Sequence, residues 1–300
     1  QAIAEVKTRQ IADWLAERHG DANAMAADRR IATSLARWSR QGDRASRDEL
    51  MGQLRQFGNL KGYSSLTLVD AEGRLIWDSA GEDQPIDARL VAVVREAITM
   101  NSPSHPPPYR DADGRLRLDF VAPLALRDGE PSSAVILRTN PSSYIFPLLR
   151  SWPVPSTSAE TLLFRRDGGQ VLYLNDLLYQ SNAAAKFSAP LSTSKLLAAQ
   201  VLRGEITPGT LFEGEDYRKV PVLGVVRPVS NTDWYVIAKM DRSELFAQAW
   251  RDSLWLGFGG LLTLFMIAAG AFILRQRQSL SASRHQRVAQ AEKLRSLELL

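Results

Sequence analysis

LTLVDAEGRLIW, residues 66–77, aligns without a gap on LLFRRDGGQVLY, residues 162–173, at an offset of 96. Each reads as a strand, a turn rich in Asp and Gly, and a second strand. A second pair follows in the same order: AVILRTNPSSYIF, 134–146, on WYVIAKMDRSELF, 234–246, at an offset of 100. Few residues are identical, but apolar positions and turn glycines coincide. One such match arises readily by chance; two in order at similar offsets point to a duplicated unit. Each half reads as hairpin, helix, then antiparallel strands, an α+β unit around a central sheet.

Upstream of the first hairpin, residues 1 to about 39 read as one long helix. No proline interrupts them, and Ile11 with Leu15, and Ile31 with Leu35 and Trp38, are spaced to share faces. Ser46-Arg47-Asp48-Glu49 has the pattern of a capping box opening a helix that places Leu50, Leu54 and Phe57 on one side. Between the hairpin and the strands 115–122 and 133–139 lie a helix over Asp87–Met100, with Leu90, Val94 and Ile98 on one face, and the stiff loop SPSHPPPYR, 102–110. Pro147–Ser158, with three prolines, reads as the junction between halves. The second half continues with a helix near Ser194–Leu202 and strands at Thr210–Phe212, Lys219–Pro228 and Trp234–Met240.

Downstream stands LWLGFGGLLTLFMIAAGAFIL, Leu254–Leu274, without a charged residue. As a helix it runs ~31 Å, one bilayer core. Trp250 and Trp255 flank one end, Arg275 and Arg277 the other. Residues 275–300 carry six basic residues against two acids, a surplus equal to the +4 net charge of the whole chain. The positive-inside rule puts this tail in the cytoplasm and residues 1–253 outside. The pI of 9.4 is therefore a topology signal and not a nucleic-acid footprint. The absence of cysteine excludes disulfides and thiolate metal sites. Opening directly into helix at Gln1 and ending within a helical pattern at Leu300, the sequence reads as a piece with a membrane segment before it and a further domain after it.

The long N-terminal helix, the paired VDAEGRLIW and RDGGQVLY hairpins, and the closing TDWYVIAKMDRSELF together resemble the double Cache (tandem PAS-like) sensor domains of bacterial receptors. The resemblance covers residues 1–250. It implies an N-terminal stalk or dimer helix (1–45), a membrane-distal PAS-like domain (46–147), a membrane-proximal one (148–241), a juxtamembrane helix (242–253), the transmembrane helix (254–274) and a cytoplasmic signalling helix (275–300). The expected fold class is thus α+β: a long helix plus two PAS-like antiparallel-sheet domains, followed by one transmembrane helix and a helical cytoplasmic stub. It further implies a homodimer in the bacterial inner membrane, small-ligand binding in the distal domain, and output to a histidine kinase, diguanylate cyclase or chemoreceptor. The tail 275–300 lacks the early proline usual in HAMP modules. That favours a histidine kinase acting through a response regulator, with a cyclase or chemoreceptor as alternatives. From another class, a membrane-anchored extracellular enzyme or assembly factor competes.

No catalytic motif supports the enzyme reading. His19, His105 and His285 lack metal-ligand spacing, and no P-loop, GxSxG or GxGxxG occurs. Asp111-Ala-Asp113-Gly114 opens like a calcium loop but lacks the closing Glu, so it reads as a turn, and no metal or cofactor is expected. On strand 115–122, alternation puts Leu116, Leu118 and Phe120 toward the long helix, and Arg115, Arg117, Asp119 and Val121 on the other face. There Arg117 has the geometry to grip a carboxylate and Asp119 an amine; the competing reading pairs them with each other or with water. Tyr109 and Arg110 follow the proline run, where the resemblance places a pocket-closing loop. Trp77 and Tyr144 are candidate pocket walls or core. The Arg-plus-aromatic grouping of the family's amino-acid-binding branch is absent, so amino-acid binding is not supported; the ligand class stays open, with a small organic anion as the guess.

Overall fold

The computed structural model describes residues 1–82, 85–125, 131–247, 257–273 and 275. The chain divides into two compact units, Gln1–Arg242 and Ser243–Leu300. The first opens with helices α1 (Ala2–Ala27), α2 (Arg29–Gln41) and α3 (Arg44–Lys61). An antiparallel sheet follows: β1 (Ser65–Asp70), β2 (Leu75–Asp78), β3 (Tyr109–Arg110), β4 (Leu116–Ala125) and β5 (Pro131–Thr139), with α4 (Ala88–Met100) between β2 and β3. After α5 (Ile145–Arg150) comes a second antiparallel sheet: β6 (Glu160–Asp167), β7 (Gln170–Tyr173), β8 (Ser188–Pro190), β9 (Leu211–Glu215), β10 (Pro221–Pro228) and β11 (Trp234–Asp241), with α6 (Leu197–Leu202) between β8 and β9.

The strand orders are β2-β1-β5-β4-β3 and β8-β7-β6-β11-β10-β9, the same order with one edge strand added. The sequence alignments are also registers. Leu68 faces Trp77, and 96 residues on Phe164 faces Tyr173. Leu66 faces Leu137, and Leu162 faces Ile237. The hairpins differ at their tips: a bulge after Leu68 in the first, a tight turn through Gly168, with φ +57°, in the second.

Each sheet is a middle layer. One face of both sheets shares a core with the first helices, in which Ile11, Leu15 and Met25 of α1 meet Leu118, Phe120, Leu163 and Trp234. The expected inward set on β4 is thus in place, with Trp14 edge-on to Phe120 at 6.1 Å. The outer faces are closed by α4, through Leu90 and Val94, and by α6, through Leu197 and Val201. Gly224 on β10 lets α6 approach: a Cβ there would lie 2.8 Å from Leu197 Cδ2. Lys7 of α1 fastens the junction by donating to the carbonyls of Leu148 (2.7 Å) and Leu149 (2.9 Å) at the end of α5. Burial lowers its pKa to about 8.

Two local expectations are corrected. The helix expected over residues 1–39 breaks at Asp28, whose backbone is extended (φ −74°, ψ 106°) while its carboxylate accepts from Arg30 N at 2.8 Å and starts α2. An Asp that caps its own backbone competes with helix continuation. The capping box at Ser46 and Glu49 does not form. Asp43, closer to the left-handed Gly42 that ends α2, caps α3 and takes up Ser46 N and Oγ, while Glu49 accepts from Ser34 Oγ at 3.2 Å.

Residues 257–273 are helical, and their large apolar side chains are exposed, Leu261 and Phe265 at 69% each. Among the described residues no helix is long and apolar enough to cross a membrane. The ends of the expected span (254–256 and 274), most of the juxtamembrane segment (248–253) and the tail 276–300 lie outside the described residues.

Candidate ligand-binding site

Alternation along β4 and β5 carries Asp119 and Arg138 to the face of the first sheet opposite α1, directly across from one another. Ser65 on β1 completes the row. On the face of the second sheet away from α1 the comparable row is Glu160, Lys239 and Gly224. Asp119 is 0% exposed. Its Oδ2 accepts from the Tyr109 hydroxyl at 2.7 Å and stands 3.7 Å from Arg138 Nε. Its Oδ1 and the Arg138 Nε are buried without a hydrogen-bond partner. Burial pushes the Asp119 carboxyl up to about 6, against the opposing pull of Arg138 and the Tyr109 hydroxyl. Burial likewise raises Tyr109, whose proton is held toward Asp119.

Arginines gather above this carboxylate. Arg117 donates through Nε to Asp111 Oδ2 at 2.8 Å, and Asp111 also accepts the backbone N–H groups of Asp113 (3.1 Å) and Arg115 (2.8 Å). The Asp-Ala-Asp-Gly segment is therefore an Asx-type turn, and its carboxylate aims a guanidinium. Although burial alone would raise Asp111, the Arg117 hydrogen bond and these amides hold it low. Glu82 lies across the group: its Oε1 accepts from Arg115 (2.8 Å) and Arg117 (3.4 Å), its Oε2 from Arg138 (2.7 Å).

Of the candidate residues named from the sequence, Tyr109, Arg117 and Asp119 thus converge. Arg110 does not join them: its Nε donates to Ala184 O at 3.0 Å and its Nη1 to Gly114 O at 2.7 Å, tying β3 to the loop after β7. It lines, with Arg117, Asn140, Asp176 and Asn182, a cleft of ≈ 370 Å³ between the two halves. Trp77 packs with the helical core under Arg55, 5.3 Å away. Tyr144 stacks on Trp14 of α1 at 5.7 Å. Both are on the helix side, away from Asp119. Sequence reasoning missed Glu82 and Arg138. Arg138 left a signal, a charge within the apolar run AVILRT; Glu82, in a loop, left none. His19 and His105 meet at 4.8 Å against Phe120 and Trp234, and among the described residues no His, Asp or Glu group is arranged for a metal.

The second half holds a different buried network. Lys239, 0% exposed in its side chain, lies 3.0 Å from Glu160 and 2.9 Å from Asp216, with Arg218 pairing Asp216 and Asp241 beside the Tyr179 ring. Its charges are mutually satisfied, as a structural brace requires.

No protein-family model matches the chain, and no curated protein does. Solved structures do. The ligand-binding domain of the Pseudomonas aeruginosa PAO1 amino-acid chemoreceptor PctB, in complex with L-Arg, is similar at 17% identity and a TM-score of 0.55, covering 82% of this chain and 95% of that one. That of the Pseudomonas fluorescens chemoreceptor CtaA, with L-serine, is similar at 16% and 0.53, covering 81% and 95%. The sensory domain of the Campylobacter jejuni chemoreceptor Tlp3 is similar at 12% and 0.55, covering 81% and 92%. The two-sheet α+β fold of chemoreceptor ligand-binding domains is the fold of this chain, as the double Cache resemblance implies.

Proposed function

We propose that residues 1–253 are the extracytoplasmic ligand-sensing part of a homodimeric receptor of the bacterial inner membrane. They divide into the stalk, distal and proximal segments given above, followed by a span at 254–274 and a cytoplasmic helix. The observation that carries the sensing role is the buried Asp119–Arg138 pair. Each keeps one unpartnered atom, beside Tyr109 and Arg117, in a fold otherwise used for ligand capture. The ligand is a small molecule that offers a donor to Asp119 and an anionic group to the arginines, an organic anion or zwitterion. What supports the span is the uninterrupted apolar surface of 257–273, which water disfavours. The proline-free basic tail supports a histidine kinase as output, reaching a response regulator.

The test is thermal unfolding of the purified chain in detergent against hydroxy acids, dicarboxylates and amino acids. At a hundred times its Kd a true ligand adds ~2.7 kcal/mol, a rise of roughly 5–10 °C for a unit of this size. Asp119→Asn and Arg138→Ala should each abolish the rise. A ligand that stabilises both variants as well as the parent would place recognition elsewhere.

A further inference from the structure

We infer that Glu82 is a built-in occupant of the anion seat: its carboxylate fills the place that a ligand carboxylate takes, and ligand binding is an exchange of one for the other. This deepens the reading above and rests on it for the identity of the seat.

The side chain of Glu82 is a tethered propionate, and three guanidinium groups hold it, those of Arg115, Arg117 and Arg138. They differ in what else they have. Arg115 also reaches Asp113 at 3.4 Å, and Arg117 also has Asp111 at 2.8 Å. For Arg138 the hydrogen bond to Glu82 runs through Nη1 alone, and Nε faces Asp119 Oδ2 at 3.7 Å without a hydrogen bond. A carboxylate free of the chain can seat itself bidentately on the guanidinium end, through Nη1 and Nη2 together. It thereby supplies the bond that tethered Glu82 leaves unmade, and a donor on the same molecule satisfies Asp119 Oδ1. Exchange is thus favoured for a molecule carrying both groups. A bare monocarboxylate gains only part of this and competes poorly with a tethered rival at high effective concentration. Glu82 then works as a specificity filter that raises the threshold for simple acids, and its release couples occupancy to a rearrangement at the head of the loop after β2.

The experiment needs no knowledge of the natural ligand. Sodium propionate, the free counterpart of the Glu82 side chain, is titrated into the parent chain and into Glu82→Ala, with sodium chloride at matched ionic strength as reference, and thermal unfolding is read. The expected result is saturable stabilisation of Glu82→Ala by propionate, at a half-saturating concentration at least tenfold below any response of the parent, and its loss in Glu82→Ala/Arg138→Ala. An equal response in parent and variant, or one that chloride reproduces, overturns the inference. Should Glu82→Ala fail to fold, Glu82→Gln takes its place, with the same comparison and the same results for and against. Because propionate probes the seat directly, failure here is distinguishable from failure of the metabolite screen, which tests sensing as such.

Discussion

Asp119→Asn should make the ligand-free protein more stable at neutral pH while removing its response to ligand. Burial raises this carboxyl from 3.8 to about 6 in the folded protein. At ~1.4 kcal/mol per tenfold change in proton affinity, holding it ionised above that pH costs roughly 3 kcal/mol. An amide of the same shape avoids that cost but accepts the Tyr109 hydroxyl less strongly, a loss of about 1 kcal/mol. The net gain is ~2 kcal/mol, or roughly 4–8 °C for a unit of this size. The sign follows from linkage: a carboxyl raised on folding stabilises below its unfolded value, and that contribution is lost as pH rises through about 6. The difference in Tm between variant and parent should therefore be slightly negative at about pH 4, change sign between 4 and 6, and level off above. Differencing matters because other groups titrate in the same window and cancel. A difference independent of pH from 4 to 7, or a variant less stable than the parent at pH 7, would refute the assignment of Asp119 as a strained, buried anion.

Other perturbations test the frame around the site. The pKa of His19 is lowered first by burial and then by His105, and that of His105 by burial, so the folded state resists protonation; stability should fall as pH drops through about 6.5, and His105→Asn should flatten that fall in calorimetry. Phe120→Ala removes the ring that Trp14, His19 and His105 contact and should cost about 3–5 kcal/mol in chemical denaturation. Lys239→Met leaves Asp216 and Glu160 facing each other without their shared cation and should cost about 3–5 kcal/mol; a neutral result would show that the network does not brace the second sheet.

Much of this architecture was legible because it depends on short-range pattern. The gap-free alignments 66–77 on 162–173 and 134–146 on 234–246 anticipated the strands and their pairings but not their faces: Leu66 and Leu137 turn to the core shared with α1, whereas Leu162 and Ile237 turn to the core under α6. The inward set on β4 was equally readable. Caps were less so: Asp28 and Asp43 outcompeted longer-range expectations because one carboxylate two or three residues from a free amide decides a helix start. The site was half legible. Asp119 and Arg117 announce themselves as charges on a strand, whereas Glu82 arrives from a loop, and no periodicity encodes where a loop carboxylate will settle. Trp77 and Tyr144 illustrate the opposite difficulty, since an aromatic residue satisfies a core and a pocket equally well in sequence.

The two sheets share a frame but not a state of charge pairing: on the face away from α1 the first sets Asp119 opposite Arg138, each with an unpartnered atom, and the second sets Glu160 opposite Lys239, in contact at 3.0 Å. That asymmetry is hard to undo stepwise. Replacing one member of either pair alone leaves the other buried without its counter-ion, a penalty of several kcal/mol out of a total stability of only about 5–15. Descendants of such a duplication are therefore held to one frustrated pair and one quenched pair, and neither sheet drifts into the other's chemistry one residue at a time.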